Sequence, residues 1–135
     1  MRTYLADALR GLTAAAVLLS AVVHLDLYEE GFRDLATIGP LFMLNFIGGV
    51  VIGTVIVVWR HWLPVFLGAG FGAVTVAAYW VSVVHGLFGV KEVTGGWSEI
   101  LASVAEYVAV VLGLGAMALL WERPVRLLAV RRRLT

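Results

Sequence analysis

Apolar residues run along the chain in four long blocks, Gly11–Leu25, Pro40–Trp59, Trp62–Val84 and Ile100–Trp121, separated by short charged or Gly/Pro-bearing breaks. A helix that crosses a hydrocarbon layer needs about 20 apolar residues. Three blocks reach that length, and the first does so if it extends a few residues at each end. The pattern predicts an all-α polytopic membrane protein, a four-helix transmembrane bundle. It forms a single transmembrane domain over 1–135, with spans at about 8–27, 40–59, 62–86 and 99–121. The first block follows Arg2 and Arg10, as the apolar core of a signal peptide would. It lacks a clear small-x-small cleavage site before His24, so it reads as the first span.

The breaks carry their own signals. Thr37-Ile38-Gly39-Pro40 is a stop and restart, with Pro suited to a first helical turn. Arg60-His61 leaves room only for a tight connection, so helices two and three are expected to form a close antiparallel hairpin. Ser98 is placed to cap the fourth helix, with Glu99 in its first turn, and Pro124 is expected to end or kink it. The 26–39 connection mixes Tyr28, Glu29, Glu30, Arg33 and Asp34 with Leu27, Phe32, Leu35 and Ile38. It is either an interfacial lid or a plain connector.

Within the spans, polar and small residues fall in stripes at helical spacing. These are Thr13, Ser20 and His24 in the first, Asn45, Gly49 and Gly53 in the second, Thr75, Tyr79, Ser82 and His85 in the third, and Glu99, Ser103, Glu106 and Gly113 in the fourth. Such stripes are expected to face the bundle centre. Gly49 with Gly53, and Gly68 with Gly72, have the four-residue spacing that lets helices approach closely in lipid. Asn45 lies roughly 7–8 Å in from Pro40, and Glu106 roughly 12 Å in from Ser98, at 1.5 Å per residue. His24 and His85 sit near the same ends of their helices. The polar groups therefore gather in one half of the bundle, and the other half is almost wholly Ala, Val, Leu, Ile and Gly.

An ionisable group inside a membrane costs about 2.5–3.5 kcal/mol, so each needs a partner or a purpose. Glu106, if buried, must be protonated or paired, with Arg33 or a histidine as candidates. The expected ligand pocket comprises His24, Tyr28, Arg33, Asn45, Tyr79, Ser82, His85, Glu99, Ser103 and Glu106. No catalytic residue is assigned, because no nucleophile elbow, phosphate loop or zinc-protease helix occurs. No cofactor is expected. If a metal or a haem binds, His24, His85 and Glu106 are the candidates. His61, beside Arg60, reads as structural.

Composition strengthens the membrane reading. Hydrophobic residues make up 61% and charged residues 14% of the chain, with mean hydropathy +0.96. Soluble domains are nearer half apolar and a quarter charged. Cysteine is absent, which removes disulfides, thiolate catalysis and Cys-bound metals. The net charge of +1 hides a sorting by location. Eight of the ten basic residues (Arg2, Arg10, Arg60, Arg123, Arg126, Arg131, Arg132 and Arg133) share one side, and Arg33 and Lys91 lie on the other among acidic residues. By the positive-inside rule both termini are cytoplasmic, in the cell membrane. The Arg-rich tail suits anionic lipid. Expected partners are membrane lipids and a second copy or a partner membrane subunit, not nucleic acid.

The stretch from His24-Leu25-Asp26-Leu27-Tyr28 through Gly31-Phe32-Arg33, then Thr37-Ile38-Gly39-Pro40-Leu41-Phe42, resembles small integral membrane proteins of actinobacteria. Gly86-Leu87-Phe88-Gly89 and Glu106 fit the same likeness, which implies the fold and no activity. Four helices with a Glu in the last are also loosely similar to DoxX-like membrane proteins, which implies quinone-linked redox. Small multidrug transporters keep their essential Glu in the first span, where this chain has none. The favoured function is therefore a non-catalytic ligand-binding or accessory membrane protein. The alternatives are a haem- or metal-binding redox protein and a proton-coupled transporter.

Overall fold

The computed structural model describes residues 1–91 and 96–132, with side chains for all of these except Arg2 and residues 121–132. Four long helices account for most of them: α1 (Arg2–Glu30), α2 (Ile38–Val58), α3 (Trp62–His85) and α4 (Trp97–Arg132). Each is long and apolar enough to cross a membrane. The apolar blocks make them helical, and local chemistry sets their ends. α1 runs on to Glu30 and stops at Gly31, whose φ of 145° is a conformation that side chains rarely adopt. Pro40 occupies the first turn of α2, where its missing N–H leaves no carbonyl unpaired. His61 caps α3, its Nδ1 accepting the Leu63 N–H at 3.2 Å. α4 starts at Trp97, so Ser98 falls inside the first turn, and the helix continues through Pro124 to Arg132.

The connections are short. A single 3₁₀ turn, Phe32–Asp34, joins α1 to α2. Only three residues, Trp59 to His61, join α2 to α3. After α3 the chain makes a two-residue hairpin turn, with Leu87 and Val90 exchanging backbone hydrogen bonds of 2.7 and 2.9 Å. Phe88 and Gly89 both have positive φ (50° and 82°), as a type I′ turn requires. We call the end of the bundle carrying the 3₁₀ turn and this hairpin turn the loop end. The opposite end carries the α2–α3 link.

α1 is the helix on which the others assemble. It packs extensively on α4 and α2, α3 packs on α4, and the two halves meet only sparsely through α2 and α3. The expected close hairpin of helices two and three is therefore corrected: the link is tight, but the helices diverge from it. Glycine placement explains this. A Cβ on Gly49 or Gly53 would meet Ala21 or Leu18 of α1, so α2 is seated on α1. A Cβ on Gly72 would fall 2.7 Å from the Glu106 carbonyl oxygen, so α3 is seated on α4. Gly48 and Gly70, on the facing sides of α2 and α3, meet nothing within 4 Å.

Away from the loop end the core is apolar: Ala6, Ala14, Val17, Ile56, Val65, Ala109, Ala116 and Leu120. One cation closes that end. Arg10 donates to the last carbonyls of α2, Ile56 at 2.9 Å and Val57 at 3.2 Å. Beside it Asp7 pairs with Arg60 at 2.8 Å. The C-terminal carbonyls of a helix lack partners and carry partial negative charge, so a guanidinium is well suited to them.

Candidate functional site

The centre of the site is Glu106, whose residue surface is 2% exposed. It lies on the face of α4 that meets α1. The Ser20 hydroxyl donates to Glu106 Oε1 at 3.1 Å. His24, one turn further along α1 and 6% exposed, places Nε2 3.9 Å from the same oxygen. That separation is too long for a direct hydrogen bond. His24 Nδ1 lies 2.8 Å from the Ser20 carbonyl. A carbonyl can only accept, so Nδ1 carries the proton, and in the neutral ring Nε2 offers a lone pair. The Phe42 ring stands edge-on to His24, centroids 5.2 Å apart, and Phe32 packs behind Phe42 at 4.8 Å.

These groups border a cavity of about 60 Å³ at the loop end. Its polar lining is His24, Thr75, Tyr79, Ser82, Glu99, Ser103 and Glu106. Leu27, Ile38, Phe42, Leu87 and Val90 contribute apolar wall, and the hairpin turn forms part of the roof. That turn is tethered by the Ser82 hydroxyl, which donates to the Val90 carbonyl at 3.3 Å. The volume holds a few water molecules, each needing roughly 10–15 Å³. Glu99 folds over Gly96, and its Oε2 is buried without a hydrogen-bond partner.

A second, larger space of about 540 Å³ lies where α2 and α3 diverge. It is an apolar groove lined by Leu41, Leu44, Gly48 and Ile52 of α2 and Phe66, Leu67, Gly70, Phe71 and Val74 of α3. His24, Phe42 and Thr75 border both spaces, so the groove abuts the polar cavity.

The sequence-derived residues separate into groups. His24, Tyr79, Ser82, Glu99, Ser103 and Glu106 line the cavity. Asn45 does not. It borders the groove, donates to Thr75 Oγ1 at 3.3 Å, and keeps a buried Oδ1 without a partner. Tyr28 lines neither space. Arg33 does not reach Glu106; its side chain is 56% exposed and lies 3.7 Å from Glu29 and 3.9 Å from Asp34. His85 is exposed at the last position of α3. Steps of three residues slip by about 60° each, which puts His85 roughly 120° around the helix from Tyr79. The set His24, His85 and Glu106 is therefore not assembled, and no group of three His, Asp or Glu side chains suited to a metal occurs among the described residues. The charged side chains of the 26–39 segment face outward, while its Leu27 and Ile38 close the cavity.

Ser20 is the residue that sequence reasoning left out of the site. It shares the stripe of Thr13 and His24, but serine in such a helix commonly bonds its own backbone, as Thr13 does to the Leu9 carbonyl at 2.7 Å. Its signal was the shared face with His24. Comparison of the chain with protein-family models, with curated proteins and with solved structures finds no match, so the function is argued from this site alone.

Proposed function

We propose that this is a multi-pass cell-membrane protein that binds a small ligand in the Glu106 cavity, without catalysis. One observation carries the reading. A carboxyl group is buried at the centre of an apolar bundle, and beside it is a cavity and not a filled core. A carboxyl kept only for helix packing would be expected to have protein groups all around it, because an exposed or half-solvated one is costly in hydrocarbon. The positive-inside rule supports an orientation with both termini cytoplasmic and the loop end outside. The cavity then lies towards the outer face, above an apolar half that seals the cytoplasmic side. A role as an accessory subunit is compatible with this site but has no contact of its own to support it.

The orientation is tested by reporter fusions at the two termini and in the Glu29–Asp34 segment. Activity of a periplasm-dependent reporter at either terminus would overturn it. The binding role is tested by mass spectrometry of small molecules that co-purify with the wild-type protein. The expected result is a stoichiometric species that is lost in Glu106→Leu while the folded bundle is retained. An identical complement in both proteins would refute a ligand role for Glu106.

A further inference from the structure

The donors and acceptors around the cavity are unevenly supplied. The Ser20 hydroxyl is committed to Glu106, Ser82 to the Val90 carbonyl, and Thr75 to the Phe71 carbonyl at 2.7 Å. His24 Nδ1–H is committed to the Ser20 carbonyl. The Ser103 and Tyr79 hydroxyls also line the space and can donate or accept, and to these the site adds acceptors: carboxyl oxygens and His24 Nε2. Of the three buried side-chain atoms without a hydrogen-bond partner among the described residues, Arg10 Nε is at the far end, Asn45 Oδ1 borders the groove, and Glu99 Oε2, an acceptor, belongs to a residue of the cavity lining. The ionisable groups facing the cavity are Glu99 and Glu106 from α4, His24 from α1 and Tyr79 from α3, and α2 adds none. A site with two carboxyl groups and an unpartnered acceptor is matched by a cation that donates several hydrogen bonds. An anion would meet two carboxyl groups and is the poorer match.

The groove states what the rest of such a ligand is. It abuts the cavity at His24, Phe42 and Thr75 and continues away between α2 and α3 as far as Phe66. Nine residues of α3 separate Thr75 from Phe66, or about 13–14 Å at 1.5 Å per residue. Its apolar walls suit one flexible hydrocarbon chain, and the small cavity admits only a compact head. Resting on the ligand-binding reading above, we propose that the ligand is a single-chain amphiphile with a primary ammonium head. The ammonium sits in the cavity against Glu99 and Glu106, and the chain passes Phe42 and lies in the α2–α3 groove. Because that groove opens where two membrane-spanning helices part, the ligand enters sideways from the lipid.

The test uses the full-length protein in phosphatidylcholine nanodiscs, with empty nanodiscs as the background. Four labelled probes are compared: dodecylamine, butylamine, dodecanol and dodecanoate. Saturable binding is expected for the two amines and not for the alcohol or the acid. The double substitution Gly48→Leu with Gly70→Leu is directed into the groove, since a Cβ at either glycine meets no neighbour within 4 Å, and an unchanged helical circular dichroism spectrum and unfolding midpoint check that the bundle is retained. The double substitution should weaken dodecylamine by at least about tenfold and leave butylamine unchanged, a difference of about 1.4 kcal/mol. Glu99→Gln should weaken both amines alike. Dodecanol or dodecanoate binding as tightly as dodecylamine overturns the ammonium head. Unchanged dodecylamine binding in the groove-filled protein overturns the lateral route, even with the cavity still occupied. Neither of those results touches the co-purification experiment, so a wrong ligand class is separable from a wrong ligand-binding reading.

Discussion

The two sides of this bundle use the same residue type to opposite ends. On the α1–α2 and α3–α4 seams, glycines remove the side chain so that one helix can press on another. Gly72 puts α3 against the backbone of α4 at Glu106 itself. On the α2–α3 side, Gly48 and Gly70 also lack side chains, but nothing fills the room. In lipid there is little hydrophobic drive between helices, so close van der Waals packing carries their association. The seams hold the bundle together, and the α2–α3 face contributes little to that. Free space that does not serve packing is available for a ligand.

Substitution at a seam should break this comparison most strongly. Gly72→Ala would set a methyl group against the Glu106 carbonyl, and backbone cannot swing aside as a side chain can. We expect a loss of about 1–3 kcal/mol, the usual range for overpacking, read as a lower midpoint of SDS-induced unfolding. Retention of the wild-type midpoint would show that the α3–α4 seam is looser than its geometry implies. Gly49→Ala should be similarly harmful, since it meets Ala21 and the Val17 carbonyl region of α1.

The polar contact across the α1–α4 seam should matter somewhat less. A double-mutant cycle on Ser20→Ala and Glu106→Leu, each of which removes one partner of the hydrogen bond, should return a coupling of about 0.6–2 kcal/mol, the span measured for interhelical hydrogen bonds in membranes. Zero coupling would mean that the 3.1 Å contact contributes nothing net. At the opposite end, Arg10→Met keeps the apolar stem and removes the donors to Ile56 and Val57. We expect a loss of about 1 kcal/mol, and a trypsin-accessible α2–α3 link as the local readout.

The smallest effect has the opposite sign. Gly48→Ala or Gly70→Ala meets no neighbour, and alanine favours helix over glycine by up to about 1 kcal/mol. Either substitution should leave the unfolding midpoint unchanged or raise it slightly. A clear destabilisation would show that the groove is closed in the membrane and that the two classes of glycine are one.

Much of this was legible in the sequence because it depends on period and depth. Helical spacing placed Thr13, Ser20 and His24 on one face of the first helix and Glu99, Ser103 and Glu106 on one face of the fourth, and counting from the helix ends put His24 and Glu106 in the same half of the bundle. Those two facts made His24 one of the candidate neighbours of Glu106, and the packing of α1 on α4 selects it. What was not legible depends on how whole helices lean on one another. Gly49 and Gly48 are adjacent in the chain and look alike, yet one is buried against α1 and the other borders empty space. Which is which is set by the rotation of α2. The short Arg60-His61 break suggested a close hairpin, but link length limits only the near ends of two helices. His85 was misjudged through spacing itself, since a repeat of three drifts around a helix of 3.6 residues per turn. Arg33 was offered as a partner for Glu106, but Glu29 and Asp34 are nearer along the chain and already exposed to water.

The Ser20–Glu106 hydrogen bond spans 86 positions and ties the first helix to the last. During synthesis from the N-terminus, α1 enters the bilayer long before α4 exists. Until then Ser20 and His24 have no Glu106 to face. α4, in turn, brings a carboxyl that hydrocarbon alone would resist. In a membrane this polar cluster would therefore be completed only when α4 packs on α1, and a truncated product lacking α4 would leave Ser20 and His24 without their buried partner.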